Sequence, residues 1–486
     1  MIVWDYLHEN LSKYRNSIWA NDTRHLNYID VLADAILIGK QLSSALPQKA
    51  KCAVLCKSGI NTGLAILACF SANMVPVPMS WHYGEEHCRK IITLTEPDVL
   101  ITDYDDVSTF DVPVFSLLID ITKWQPQMVQ PDPVLNDVAA ILCTSGTSGF
   151  PKGVMITEEG LLVNLKDIER YFHIQSGDTM LIARPLYHCA VLTGEFLTAL
   201  TRGVNLRFYD DAYNPAAMMD LIQNQNITVM CGTPTLFFQL SQYVEKNPNN
   251  VPLRVIALSG ECLSAATARQ IRHVFPRTEI YHVYGLTEAS PRVSYLPPTL
   301  FDQHPESVGM ALSSLRLSIQ FDEHTEMMLG VDGELLVKGP NVMKGYYRDD
   351  ALTSKVLVDG WLHTGDRACV GDDGLLYIKG RKDDMIIKAG MNIYSKEIEN
   401  ALAASPLFVA TMAMGISSGQ TQGIALTVVL SELYKDATKR EILKECARLL
   451  PMYQLPEQIH IVEALPRNAS GKLVRHPQKK REATHE

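Results

Sequence analysis

The residues best suited to chemistry crowd into positions 141–157, ILCTSGTSGFPKGVMIT. Apolar residues at each end (Ile141 and Leu142, then Val154, Met155 and Ile156) predict two short buried strands, with residues 144–153 as the loop between them. In that loop Gly146, Gly149 and Gly153 let backbone amides turn inward. Thr144, Ser145, Thr147 and Ser148 add hydroxyl donors, Lys152 adds a positive charge, and Pro151 limits the looseness. Such a loop can wrap an anion. Ser, Thr and Gly clusters are also ordinary connector material in a large α/β protein, so composition alone leaves both readings open. The string is not a Walker A loop, because no glycine stands at the required offset before a Lys-Ser or Lys-Thr pair.

Three more constellations carry suitable groups. In YGLTE (284–288), Tyr284 can stack on a purine, Thr287 can donate to a phosphate, and Glu288 can hold Mg2+ with water completing the shell. In GWLHTGD (360–366), Asp366 sits in a Gly-bounded turn, where one carboxylate can accept from both ribose hydroxyls. Arg381, in YIKGRKDD, can reach the same sugar with its forked donors. Near the C-terminus, LPRNASGKLVR (465–475) sets Lys472 just after a Pro/Asn/Gly loop. Taken singly, each has a plain structural reading: a strand end, a turn former, a surface lysine.

TSGTSGFPKG resembles the phosphate loop of the acyl-adenylating superfamily: the acyl-CoA synthetases, the adenylation domains of peptide synthetases, and firefly luciferase. The other motifs resemble that family's in order, from residue 141 to the C-terminus. The resemblance implies that Thr144, Ser145, Gly146, Thr147, Ser148, Gly149 and Lys152 form a mobile cover over the β- and γ-phosphates. It assigns Gly260, Glu261, Tyr284 and Gly285 to the nucleotide, and Asp366, Tyr377 and Arg381 to the ribose side. Thr287, Glu288 and Lys472 become catalytic, with Glu288 on Mg2+ and Lys472 between the substrate carboxylate and the α-phosphate, where positive charge stabilises a crowded anionic transition state. Asp383 matches the hinge. Residues 388–392 match the loop used in thioester formation, with Ala389 and Gly390 standing where the family often has Gly-Gly.

The implied reaction is attack of a carboxylate on the α-phosphate of MgATP, then transfer of the acyl group to the pantetheine thiol of CoA or of an acyl or peptidyl carrier protein. The resemblance puts Tyr187, His188, Leu192, Cys231, Gly232, Ser259 and Ala289 in the acid pocket, with His188 as a gate. Amino-acid-activating members commonly carry an aspartate in the first pocket segment. Residues 186–192, LYHCAVL, hold no acid, so the style is that of an acyl or aryl acid ligase. Glu195 can still meet an amine, which keeps a stand-alone amino-acid adenylation enzyme of a natural-product pathway as the alternative. A catalytically silent nucleotide-binding protein on the same fold is disfavoured by the presence of Lys472, Glu288 and Asp366 together.

These residues need elements to position them. The pattern predicts helices at 29–46, 63–73, 86–94, 158–171, about 190–200 and 216–225, with another from Pro234; strands are predicted at 52–56, 76–79, 99–102, 180–183, 204–208, 227–230, 254–258 and 279–283. Thr157 is the candidate N-cap of the helix at 158–171, with two acids in its first turn. Strands 254–258 and 279–283 end in polar turns, at the sheet edge where open α/β sheets bind ligands. From about Phe301 the strands shorten between Gly and Asp turns, predicting a β-rich subdomain; after Arg381 a small βαβ-like unit follows. The expected class is α/β: residues 1–382 form a large domain of mixed α/β subdomains plus the β-rich one, and 383–486 form a small mobile α+β domain.

At 486 residues the chain has room for roughly three domain units. A net charge of −10 without a basic block argues against general nucleic-acid or anionic-membrane binding, so anion recognition must be local. The ten cysteines lie mostly in apolar runs without a C-x-x-C pair and read as reduced, buried residues. Residues 1–16 have early acids and no long apolar core, and the longest apolar stretch, 63–79, is broken by Ser71, Asn73, Pro76 and Pro78. A cytoplasmic protein without membrane insertion is expected.

Overall fold

Parallel strands covered on both faces must be apolar throughout, and the central strands are. Val229–Gly232 and Val255–Leu258 are buried at every position. Thr179–Ile182, Val229–Gly232, Val255–Leu258 and Glu279–Gly285 lie side by side in parallel. A computed structural model provides these coordinates and describes residues 1–20, 24–81, 84–117, 130–145, 150–248, 251–321, 324–326, 329–388, 391–418 and 421–466. Among them the main sheet has nine strands, closed on one side by Arg292–Leu296 and Met310–Ala311, and on the other by Asn205–Phe208, Ile18–Ala20 and His25–Asn27. The chain's first strand thus pairs with Asn205–Phe208 in register Trp19 to Leu206, a long-range contact that local patterning cannot show.

A second, all-parallel sheet runs Val75–Pro78, Lys51–Leu55, Val99–Thr102, Val114–Ser116. Against it packs a three-stranded antiparallel sheet of Val138–Ser145, Pro151–Thr157 and Gly345–Tyr346. Ala53, Leu55, Val77 and Leu100 from the former, Ile141 and Met155 from the latter, and Tyr347 just after its third strand share one buried cluster.

The expected phosphate loop is shorter than its composition suggests. Its flanking strands are partners in one hairpin, pairing Thr144 with Lys152 and Ser145 with Pro151. Ladder hydrogen bonds carry the strands into the polar residues, because a hydroxyl side chain on an extended backbone costs the ladder nothing.

Helix Glu158–Tyr171 begins where the cap predicts, with the Thr157 hydroxyl accepting from the Gly160 amide. The helix expected at about 190–200 is instead three pieces: Cys189–Val191, a π-helical Leu192–Leu197, and Thr198–Arg202. The Thr198 hydroxyl donates to the Thr193 carbonyl at 2.7 Å, five residues back, as the wider turn allows. Here the Arg292 guanidinium presses on the helix: a Cβ at Gly194 would lie 2.6 Å from its Nη2.

Two compact units divide the chain: 1–261, 269–318 and 336–363 form the first; 262–268, 319–335 and 364–486 form the second. The expected β-rich part is a sheet of Arg316–Phe321, His324–Glu326, Gly333–Lys338, Leu357–Val358, Trp361–Val370 and Leu376–Arg381. After it comes a hairpin, Met385–Lys388 with Met391–Tyr394, then helix Ser395–Leu402. Phe408–Ser418 and Thr421–Leu430 pair antiparallel; only the last crossover, through helix Lys439–Leu449 to the parallel strand Gln458–Ile461, is the βαβ unit expected. Ile386, Ile398, Leu426 and Ile442 are among the apolar residues of this core. All ten cysteines are free. No helix among the described residues is long and apolar enough to cross a membrane.

Phe196, fully buried, meets Trp19 edge-on at 5.1 Å and so ties the π-helical turn to the first strand. Phe196→Ala is expected to lower unfolding stability by about 3–5 kcal/mol. Urea titration reads this as a lower midpoint at unchanged slope.

Candidate active site

The polar turns that follow the parallel strands converge at one sheet edge. After Thr179–Ile182 comes Arg184, whose Nη2 donates to the Ser259 hydroxyl at 3.3 Å. The Ser259 amide donates to the Gly232 carbonyl at 2.9 Å, joining the ends of two strands. Gly260 takes a positive φ of 88°. The Glu261 carboxylate accepts from the Thr235 amide at 3.2 Å and hydroxyl at 2.6 Å, in the first turn of helix Pro234–Lys246. Tyr187 and His188 lie with their rings 4.3 Å apart just before Cys189. Leu192, Cys231, Gly232 and Ala289 are buried. Burial pushes the Cys189 thiol up to about 12 and raises Cys231 as well, so both are inert thiols rather than nucleophiles.

Glu195 is fully buried and ion-paired with Arg184. Burial raises its carboxyl above the ordinary range, and the charges of Arg184 and Arg292 work in the opposite direction. The carboxylate that the sequence offered for a substrate amine therefore already has a cation.

Strand Glu279–Gly285 ends in Tyr284 and Gly285, with the register shifting between them. Gly285 has no room for a side chain: a Cβ would lie 2.1 Å from the Pro291 carbonyl oxygen. Thr287, Glu288 and Ala289 follow in a short 3-10 turn. Residues 343–347 hold this turn and the hairpin at once. The Met343 amide donates to the Glu288 carbonyl at 2.9 Å, the Lys344 amide to Met155 at 3.0 Å and the Tyr347 amide to Gly153 at 2.7 Å. The Tyr346 hydroxyl donates to Glu288 Oε1 at 2.8 Å, and the Lys152 ammonium stands 5.4 Å from the centre of the Tyr346 ring. The loop lysine and the carboxylate expected to hold metal thus meet at one side chain.

Among the described residues no three His, Cys, Asp or Glu side chains gather to hold a metal ion. The single carboxylate of Glu288, which follows Thr287 in this turn, suits Mg2+, which takes one or two carboxylates and fills its octahedron with phosphate oxygens and water.

In the second unit Asp366 and Arg381 face each other across paired strands, with Arg381 Nη1 3.0 Å from Asp366 Oδ1 and 3.1 Å from the Thr364 carbonyl. Asp366 is buried and its amide bonds the Thr364 hydroxyl at 3.0 Å. The Tyr377 hydroxyl donates to Asp373 at 2.6 Å, an acid of the same hairpin. Asp383 lies in the turn Lys382–Asp384. Gly146, Thr147, Ser148, Gly149, Ala389, Gly390 and Lys472 lie outside the described residues.

Reading by motif missed Tyr346, Arg184 and His282. The partners of Tyr346 and His282 are remote in sequence, the pairing of Arg184 with Glu195 eleven positions on follows no motif spacing, and only Gly345 before Tyr346, a break in a β pattern, was a local sign. His282 is fully buried on the same strand as Tyr284, with Nδ1 2.8 Å from the Ser307 carbonyl and the Glu261 backbone also in reach. Desolvation holds its pKa down at about 4, against the pull of those carbonyls.

Comparison with known proteins follows the same lines. Residues 7–347 match the family described as AMP-binding enzyme, and residues 397–472 match the AMP-binding enzyme C-terminal domain. The long-chain-fatty-acid–CoA ligase of Salmonella typhimurium is 32% identical over 363 residues, 72% of this chain and 63% of the ligase; the chain spans less than two thirds of that relative's length. The 2-succinylbenzoate–CoA ligase of Bacillus licheniformis is 28% identical over 443 residues, 90% of this chain and 91% of its own. The o-succinylbenzoate coenzyme A synthetase of Bacillus subtilis, solved with ATP and magnesium, has the same fold: TM-score 0.84 at 24% identity, covering 97% of this chain and 98% of that one.

Because His282 titrates near 6.5 when unfolded and about 4 when folded, unfolding takes up a proton between those values, and stability is lost as pH falls through that window. At pH 5 the loss due to this residue is about 2 kcal/mol. Urea midpoints at pH 7.5 and 5.0 check it, with His282→Gln expected to show a smaller drop than the parent.

Proposed function

The chain belongs to the AMP-binding enzyme family, and on that footing we propose that it activates a carboxylic acid with ATP as an acyl adenylate. Pyrophosphate leaves, and the acyl group passes to a pantetheine thiol. The observation that carries the reading is the meeting of Lys152 and Glu288 at Tyr346, beside the turn that ends the Tyr284 strand. A cation from the glycine-rich hairpin and a metal-type carboxylate are brought together, as a polyphosphate with its counter-ion requires.

In this reading Tyr284 stacks on the adenine, with Gly260, Glu261 and Gly285 around it. Asp366, Arg381 and Tyr377 serve the ribose. Lys152, Thr144, Ser145 and residues 146–149 hold the β- and γ-phosphates. Glu288 would hold Mg2+, which would supply charge neutralisation for the departing pyrophosphate. Lys472 holds the substrate carboxylate against the α-phosphate, so that a carboxylate oxygen attacks phosphorus as the bond to the pyrophosphate oxygen breaks. Much of the acceleration comes from holding the two anions in line. In the second half-reaction the thiol sulfur attacks the acyl carbonyl, AMP departs with the C–O electron pair, and the thiol proton goes to solvent. Residues 388–392 line that step after residues 383–486 turn about Asp383, which makes 382/383 the working domain boundary.

Substrate choice follows from Glu195. Its charge is already answered by Arg184 in a fully buried position, which disfavours a second cation there even though Oε2 has no hydrogen-bond partner among the described residues. With no acid in residues 186–192, a fatty or aryl acid is favoured over an amino acid. The names of the two relatives above, a long-chain-fatty-acid–CoA ligase and a 2-succinylbenzoate–CoA ligase, support this class and favour CoA as the acceptor, with a carrier protein as the alternative. Ten free cysteines suit the reducing cytoplasm, where we locate it.

ATP–pyrophosphate exchange over a panel of fatty, aryl and amino acids tests the reading. Exchange is expected with the first two groups; exchange confined to amino acids would overturn the substrate class. Lys472→Ala is expected to lower the rate by about 10²–10³-fold, as loss of one transition-state donor does elsewhere. An unchanged rate would remove Lys472 from the mechanism.

A further inference from the structure

The strand Gly345–Tyr346 is only two residues long, yet it is the third strand of the sheet that carries the glycine-rich hairpin, with Gly345 opposite Met155 and Tyr346 opposite Val154. Its aromatic side chain is 4% exposed. The backbone beneath is held independently: the Tyr346 amide donates to the Thr353 hydroxyl at 2.9 Å, and that hydroxyl donates to the Asp349 carbonyl at 2.8 Å. Tyr346 therefore starts from a fixed base.

Two charged groups use opposite features of this one side chain. The hydroxyl donates to Glu288 Oε1 at 2.8 Å, a charge-assisted bond that fixes the carboxylate's rotation and leaves Oε2 for another partner. The ring receives the Lys152 ammonium at 5.4 Å from its centre, through the quadrupole that draws cations to aromatic faces. A direct ion pair between Lys152 and Glu288 would consume the charge of each. A tyrosine shared between them holds both in place by weaker contacts and leaves each charge available to a ligand.

We propose that Tyr346 is a positioning residue that presets the Glu288 carboxylate and the Lys152 ammonium for the metal–polyphosphate group of MgATP. This rests on the adenylation reading above. The residue touches neither the reacting carboxylate nor the α-phosphate; it acts through Glu288 and Lys152. Its hydroxyl governs the metal side and its ring the phosphate side, so the two functions separate by substitution.

Tyr346→Phe keeps the ring and removes the hydroxyl. Calorimetric binding of ATP across a Mg2+ series is expected to show the half-saturating Mg2+ concentration rising about tenfold, the worth of one hydrogen bond to a charged group. Metal-free ATP should bind as in the parent, and the KM for the acid should be unchanged in exchange assays. Tyr346→Leu removes both contacts and should weaken metal-free ATP binding as well. In a cycle with Lys152→Ala, that second loss should be less than additive. The Phe variant should still melt in one cooperative transition, only a few degrees below the parent, so that the binding change is read on folded protein. A Phe variant that binds Mg2+ and ATP like the parent would overturn the proposal. So would one that loses ATP affinity equally with and without Mg2+, because a merely structural residue would do that. A parent that neither binds MgATP nor exchanges pyrophosphate with any acid would instead overturn the adenylation reading itself.

Discussion

The pairing of residues 343–347 with two remote segments is the constraint on which the first unit's site depends. One run of backbone donates to Glu288, Met155 and Gly153 in turn. Those acceptors belong to the turn after a parallel strand and to the second strand of the glycine-rich hairpin. Neither segment carries enough local structure to fix its own orientation. A two-stranded hairpin is marginal in water, and a single 3-10 turn is weaker still. A third strand on the hairpin and a buried asparagine under the turn supply what is missing. Asn341 Nδ2 reaches the Ala289 and Arg292 carbonyls at 2.8 and 3.0 Å, and the Ser290 hydroxyl returns a bond to the Asn341 carbonyl at 2.7 Å.

What could be read in the sequence follows how local the cause is. Helix Glu158–Tyr171 could be read to the residue, because its cap, its acids and its apolar face lie within one segment. The parallel strands could be read within about two residues, because burial on both faces leaves an unbroken apolar run. The hairpin strands were read too short, since Thr144 and Ser145 look like loop residues until pairing with Lys152 and Pro151 is known. The helix after His188 could be read as helical, but its π-helical middle could not. Its distortion accompanies contact with Arg292, about a hundred positions on. For the site, the motif residues announce themselves by type. Tyr346, Arg184 and His282 do not, because each gains meaning only from a partner brought near by folding.

Charge burial shows the same dependence. Glu195 sits at zero exposure, a position whose desolvation cost would exceed the reach of any distant cation, and Arg184 answers it from the end of the neighbouring strand. Arg184 also spans to Ser259, so the ion pair links a helix to the loop after another strand. The pair's net contribution to stability is small beside its effect on geometry. It holds the ends of Thr179–Ile182 and Val255–Leu258 to the helix that carries Leu192.

The π-helical turn at Leu192–Leu197 has a consequence of another kind. Each α-helical residue advances the facing direction by about 100°, and a π turn accommodates one extra residue without breaking the helix. The helix therefore holds two angular frames: residues before the turn face one way by one count, and residues after it by another. Deleting a single position there would restore the ordinary pitch, leaving Phe196 and its neighbours on the core while rotating His188 to Val191 about the axis. A one-residue change of length, with no change in the sheet below, is thus enough to re-aim the side chains of His188 to Val191.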